Sequence, residues 1–238
     1  MIPGIFIAGS GTDVGKTVVT AGVLRWLREH TSAGMVMKPV QTGAQLCADG
    51  RMIAPDIDFV LRAANLTVDQ ETLAHLSPYL FEPACSPHLA ARMAGEKIEI
   101  DKIVASARWL ASRHHRLVVE SAGGVAAPLN ESQIMLDLAL ELRMPVLLVG
   151  HSGLGTINHV LLSLETIRHR GCKLLGVILN DVRPVSAPER YIHDDNVCAI
   201  ESFGKVPVTH IPYLGPQPDM DKLDTWLSNC EFLKEYLP

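Results

Sequence analysis

Ile5-Phe6-Ile7-Ala8-Gly9-Ser10-Gly11-Thr12-Asp13-Val14-Gly15-Lys16-Thr17 decides how the rest of the chain is read. A short apolar run enters a glycine-rich turn, and Gly-Lys-Thr opens a helical pattern. That context is the one a phosphate-binding P-loop needs. Glycines permit positive φ and a close backbone approach. Successive N–H groups and the helix N-terminus then face phosphate oxygens. In such a loop Lys16 reaches the β- and γ-phosphates and Thr17 offers its hydroxyl to Mg²⁺. The general pattern sets four residues between its glycines. Here five separate Gly9 from Gly15, with Ser10 at the usual first place. A glycine turn of purely structural origin is the alternative, and the strand–turn–GKT–helix order speaks against it. Lys16 is expected to be exposed at the loop.

Further apolar runs continue the pattern outward, at Met35–Lys38, Leu117–Glu120, Pro145–Val149, Leu174–Leu179 and Val206–Ile211. Most are continuously apolar, as in a parallel sheet covered on both faces. Helical patterns lie between them. Residues 16–29 follow the first strand. Asp101 is expected to cap 102–114, Ser132 to cap 133–142, and Thr156 to cap 157–170. Gly171 then stops the last of these. Residues 43–56 read as a loop, and 183–196 as a surface excursion. Alternating strands and helices predict an α/β fold with a doubly wound, mainly parallel sheet, of P-loop NTPase type, in one domain over 1–238.

The 238 residues are 47% hydrophobic and 20% charged, ordinary globular usage that excludes a disordered or fibrous chain. The net charge of −5 gives nothing to neutralise a nucleic-acid backbone. Cysteines at 47, 85, 172, 198 and 230 are odd in number and isolated, so a reduced chain without a zinc site or disulfide framework is expected. Met1–Gly9 has no basic leader, and no stretch approaches the ~20 apolar residues of a membrane span. The expectation is a cytoplasmic protein with neither nucleic-acid nor membrane partner.

Other side chains stand where an open α/β sheet binds ligands, past the carboxyl ends of strands. Lys38-Pro39-Val40-Gln41-Thr42-Gly43 closes the second strand; Lys38 either meets the P-loop mouth or snorkels on the surface. Glu120-Ser121-Ala122-Gly123-Gly124 closes the third, where the acid suits Mg²⁺ or caps a turn. Asp56 and Asp58 either serve a cation or cap a helix. Ser86-Pro87-His88 precedes another helical pattern. Leu154-Gly155-Thr156-Ile157-Asn158-His159 opens a helix, as an anion site or a plain cap. Asn180-Asp181 ends the fifth strand, as a ligand contact or an Asx turn.

Taken in order, TDVGKT, KPVxTG, SPH, ESAGG, GLGTINH and ND resemble ATP-dependent dethiobiotin synthetase from about residue 5 to about 215. The five-residue P-loop spacing is also that family's form. The resemblance implies a dimeric P-loop enzyme that closes 7,8-diaminononanoate, CO₂ and ATP into dethiobiotin, ADP and phosphate. It implies that Lys16, Lys38 and Thr12 hold phosphates as the catalytic set. Thr17, Asp56 and Glu120 would serve Mg²⁺, with Asp56 preferred to Asp58. ATP would lie on Gly11, Thr12, Asp13, Val14, Gly15, Lys16, Thr17 and Val18, with Asn180 reading adenine beside Pro212, Tyr213 and Leu214. Thr42 would face the substrate carbamate. Leu154, Gly155, Thr156, Ile157 and Asn158 would take the substrate's carboxylate tail, from the neighbouring subunit of a homodimer with a shared active site. Ser121 stands where the family has glycine, and the tail after about 216 matches nothing in the pattern. Two rivals fall on residues. Partition-type ATPase switches carry a second lysine where this chain has Gly11. Cobyrinate-type amidoligases need a glutaminase domain for which 238 residues leave no room.

Overall fold

The computed structural model describes residues 2–236. β1 (Gly4–Gly9) runs through the glycine-rich loop into α1 (Lys16–Thr31). β2 (Met35–Met37), β3 (Val40–Thr42), a hairpin of β4 (Gln45–Leu46) and β5 (Met52–Ile53), α2 (Pro55–Ala63) and α3 (Gln70–Leu76) follow. Next come β6 (Tyr79–Phe81), α4 (Pro87–Met93), α5 (Ile100–His114), β7 (Leu117–Gly124) and α6 (Met135–Leu142). The second half alternates β8 (Val146–His151), α7 (Thr156–His169), β9 (Leu174–Asn180), α8 (Arg190–Gly204) and β10 (Val208–Ile211). It closes with α9 (Met220–Ser228) and α10 (Glu231–Tyr236).

The main sheet has the order β10-β9-β8-β1-β7-β2, and every pairing in it is parallel. Successive side chains of a strand point to opposite faces. Every residue of β1 is buried, so both faces of the sheet are covered. That is why the sequence shows continuous apolar runs rather than alternation. β1 sits between β7 and β8, with the chain winding outward on either side of it. The loop after β1 therefore opens at the switch point, between the carboxyl ends of β7 and β8. β3 and β6 form a short parallel ribbon of their own.

Several predicted caps are corrected by the structure. α5 starts at Ile100 with Glu99 at its cap, so Asp101 lies inside the first turn, where its charge favours the helix dipole. α6 begins at Met135, and Asp137 reaches back to accept the Ile134 N–H at 2.7 Å. Ser132 is held instead by Asn130 Oδ1. At α7 the cap is Gly155 with φ 90°, while the Thr156 hydroxyl donates to the His151 carbonyl. Gly171 does stop α7, at φ 73°. The predicted loop at 43–56 contains the β4–β5 hairpin and the start of α2, because Pro55 fits the first helical position. The predicted excursion at 183–196 turns helical from Ala187 onward. The tail after 216 is ordered, with Leu223 and Leu227 of α9 fully buried against α1.

Candidate functional site

The turn after β1 places Asp13 at φ 58° and Gly15 at φ 90°. At Gly15 any Cβ would run into the Asn180 amide, so glycine is required there by space as well as by backbone. This turn directs Lys16 inward rather than outward. Its side chain is only 7% exposed, and Nζ donates to the Gly11 carbonyl at 2.8 Å. The expected exposure of Lys16 is thus corrected: the loop folds around its ammonium. Burial, and then the neighbouring Lys38 charge, lower the Lys16 pKa to about 8.

A cleft of 930 Å³ opens beside the loop, and Thr12, Lys16, Thr17, Lys38, Asp56 and Glu120 all line it. Lys38 follows β2 and lies between two carboxylates, 2.6 Å from Asp56 Oδ2 and 2.7 Å from Glu120 Oε1. Burial works against its charge, but the two carboxylates outweigh that and raise its pKa above the lysine norm. Of the two surface alternatives for Lys38, the structure thus has it at the loop mouth. Glu120, 1% exposed within β7, also accepts the Thr17 hydroxyl at 2.9 Å. Asp58 turns away along α2 and pairs with Arg62 at 3.0 Å, half exposed. The donor set of Thr17, Asp56 and Glu120 is all oxygen, the chemistry a hard divalent cation takes. Two of the three, Asp56 and Glu120, hold the Lys38 ammonium between them.

Thr42, at the end of β3, borders the same cleft opposite the P-loop. So do Ala84, Cys85, Ser86 and Pro87. Of these only the Ser-Pro-His motif left a sequence mark. Asn180 closes β9 and donates from Nδ2 to the Val14 carbonyl at 3.3 Å. Pro212, Tyr213 and Leu214 follow β10, whose last residue Ile211 is in register with Asn180. Leu154, Gly155, Thr156, Ile157 and Asn158 are not brought to this cleft. Leu154 is 87% exposed. The Thr156 N–H already donates to the Gly153 carbonyl, which leaves the N–H groups of Ile157 and Asn158 as free donors at that helix start. Ser121, the departure from the family pattern, is wholly buried in β7 between Glu120 and Ala122 of the cleft lining.

A second cluster escaped sequence reading. Asp181, His193 and His210 converge at the carboxyl ends of β9 and β10, with Ser152 beside them. They are separated by 12 and 17 residues and fit no short ligand spacing, so only the fold brings them together.

Comparison with known proteins gives three findings. A family described as an AAA domain matches residues 3–221. The chain is 39% identical over 218 residues to the ATP-dependent dethiobiotin synthetase BioD of Anoxybacillus flavithermus, covering 91% of this chain and 92% of that protein. It is 35% identical to the protein of the same name from Anaeromyxobacter sp., covering 91% and 92%. Among solved structures, its fold is similar to the MinC:MinD cell division protein complex of Aquifex aeolicus, with TM-score 0.56 at 13% identity, covering 99% of this chain and 93% of that one. A ParA family ATPase from Chlorobium tepidum is similar at TM-score 0.52 and 15% identity, covering 99% and 93%.

Proposed function

Because the chain belongs to the ATP-dependent dethiobiotin synthetase family, we propose that it closes 7,8-diaminononanoate and CO₂ into dethiobiotin at the expense of ATP, in biotin biosynthesis. The carrying observation is the cleft itself, which two buried lysines, Lys16 and Lys38, line beside the glycine-rich loop. In this reading the cytoplasmic chain works as one domain over 1–238.

Phosphoryl transfer asks for positioning and charge stabilisation more than for a protein nucleophile. One substrate amine takes up CO₂ as a carbamate. A carbamate oxygen attacks the γ-phosphorus and ADP leaves, giving a carbamic–phosphoric anhydride. The second amine then attacks its carbonyl carbon, phosphate departs with the C–O bond electrons, and the ring closes. Lys16, Thr12 and the loop N–H groups of residues 11 to 18 hold the phosphates. Thr42 faces the carbamate, and Asn180 with Pro212, Tyr213 and Leu214 receives adenine. Thr17, Asp56 and Glu120 would hold Mg²⁺, which neutralises phosphate charge. Lys38, which bridges Asp56 and Glu120, would offer its ammonium to the transferring group. The free donors at 157 and 158 form an anion site, which in this reading one subunit of a homodimer supplies to the other's cleft.

Carbon-labelled bicarbonate tests the reading. With diamine and ATP, the label is expected in the ring carbonyl of the product. Unlabelled product, or none, would overturn the assignment.

A further inference from the structure

Ser152, Asp181, His193 and His210 come from four separate places. Ser152 follows β8, Asp181 follows β9, His193 lies on α8 and His210 within β10. Asp181 Oδ1 is 2.9 Å from His193 Nδ1 and 3.1 Å from His210 Nε2. Ser152 Oγ is 2.6 Å from His193 Nδ1 and also contacts Asp181 Oδ1. The Asp181 and His193 side chains are 5% and 12% exposed. Among the described residues, this is the one group of three or more His, Cys, Asp or Glu whose ligand atoms all lie within 4.8 Å of each other.

A hydrolytic triad does not fit. There the histidine bridges serine and carboxylate through its two different nitrogens. Here Ser152 and Asp181 both meet His193 on Nδ1. A closed hydrogen-bond network fits poorly too. One carboxylate oxygen is approached by three groups, while the buried Nε2 of His210 finds no aligned partner. A cation among these atoms would satisfy them together. Two imidazole nitrogens, one carboxylate oxygen and one hydroxyl form a borderline donor set, the preference of zinc-class ions and not of Mg²⁺.

We infer that Ser152, Asp181, His193 and His210 form a second metal site, distinct from the P-loop cleft, that takes one divalent transition ion of the zinc class. It fastens α8 to the ends of β8, β9 and β10 and stiffens the turn carrying Asn180.

The test is a Co²⁺ titration of the tag-free, chelator-treated chain, followed by visible d–d absorption, with excess Mg²⁺ present to occupy oxygen-only sites. One Co²⁺ per chain is expected, with the intense bands of four-coordinate geometry. His193→Ala and His210→Ala, checked for folding by far-UV circular dichroism, should each weaken binding by at least the roughly 10–100-fold that loss of a supporting partner alone costs. Independently of any variant, Zn²⁺ should raise the melting temperature of the wild-type chain, because it binds the folded state. Weak six-coordinate bands only, bands unweakened in both variants, or a wild-type chain with neither bands nor Zn²⁺ stabilisation would each overturn the site.

Discussion

Lys16 carries two opposed demands. In the proposed reading its ammonium meets phosphate, yet in the free chain it is buried beside a second lysine. Lys16→Ala should therefore cut turnover by on the order of 10²–10³. It should leave the nucleotide-free melting temperature unlowered, since a costly buried charge goes with it. Steady-state kinetics beside a thermal melt checks both halves. The lowered pKa also sets a pH dependence. The folded chain loses this proton near pH 8, and the unfolded chain near the ordinary lysine value of 10.5. kcat/KM for ATP should fall as pH rises through about 8, because phosphate then meets a neutral amine. Across the window from about 8 to 10.5 the unfolded state binds more protons at this residue. Its contribution to the stability of the free chain thus rises with pH. A kcat/KM profile that stays flat well above pH 8 would contradict the buried ammonium. At this scale much of the cleft was legible because Lys38 stands past a strand end and Lys16 and Asp56 at helix starts, whereas Glu120 lies inside β7, which runs on to Gly124. The burial of Lys16 was not, since the loop's inward fold depends on backbone dihedrals at Asp13 and Gly15.

Helix α2 separates two acids that the sequence could not rank from the residues alone. Its first turn presents Asp56 to Lys38, while Asp58 pairs with Arg62 one turn on. Asp56→Asn should raise the Mg²⁺ concentration needed for half-maximal rate, and Asp58→Asn should leave it in place. A Mg²⁺ titration showing the reverse would move the metal role to Asp58. Helix α9 shows the other limit of sequence reading. Its fully buried residues are Leu223 and Leu227, and what they meet on α1 is Gly22, where a Cβ would lie 2.7 Å from Leu223. Met220, Leu223 and Leu227 give this helix an apolar stripe, but nothing in the chain's own pattern tells that its partner is a glycine of α1. The structure makes this tail integral, so Leu227→Ala should destabilise the chain by about 2–5 kcal/mol, as buried leucine truncations do. Denaturant unfolding measures it, and a change near zero would mean that α9 is dispensable. The β4–β5 hairpin was illegible for a related reason. Its two-residue strands are mostly exposed and too short for any alternation.

At the scale of the molecule, the parallel order was readable from fully apolar runs, and its strand order places the loop at the switch point. The segment 154–158 is a case of the opposite kind: its sequence suggested an anion site, but its own chain's cleft does not include it. A shared site predicts complementation between two inactive variants. Lys16→Ala and Asn158→Pro should regain part of the activity when mixed, since one site of each heterodimer keeps both halves. Asn158→Pro withdraws one free N–H within the first helical turn, where proline is tolerated. No recovery despite proven subunit exchange would place the whole site on one chain. The central claim, that this P-loop cleft drives diamine carboxylation and is no free-running ATPase, is tested most directly by phosphate release from ATP in the presence of bicarbonate. Release should start only on addition of 7,8-diaminononanoate and match the dethiobiotin formed mole for mole; phosphate released at the same rate without the diamine would contradict it.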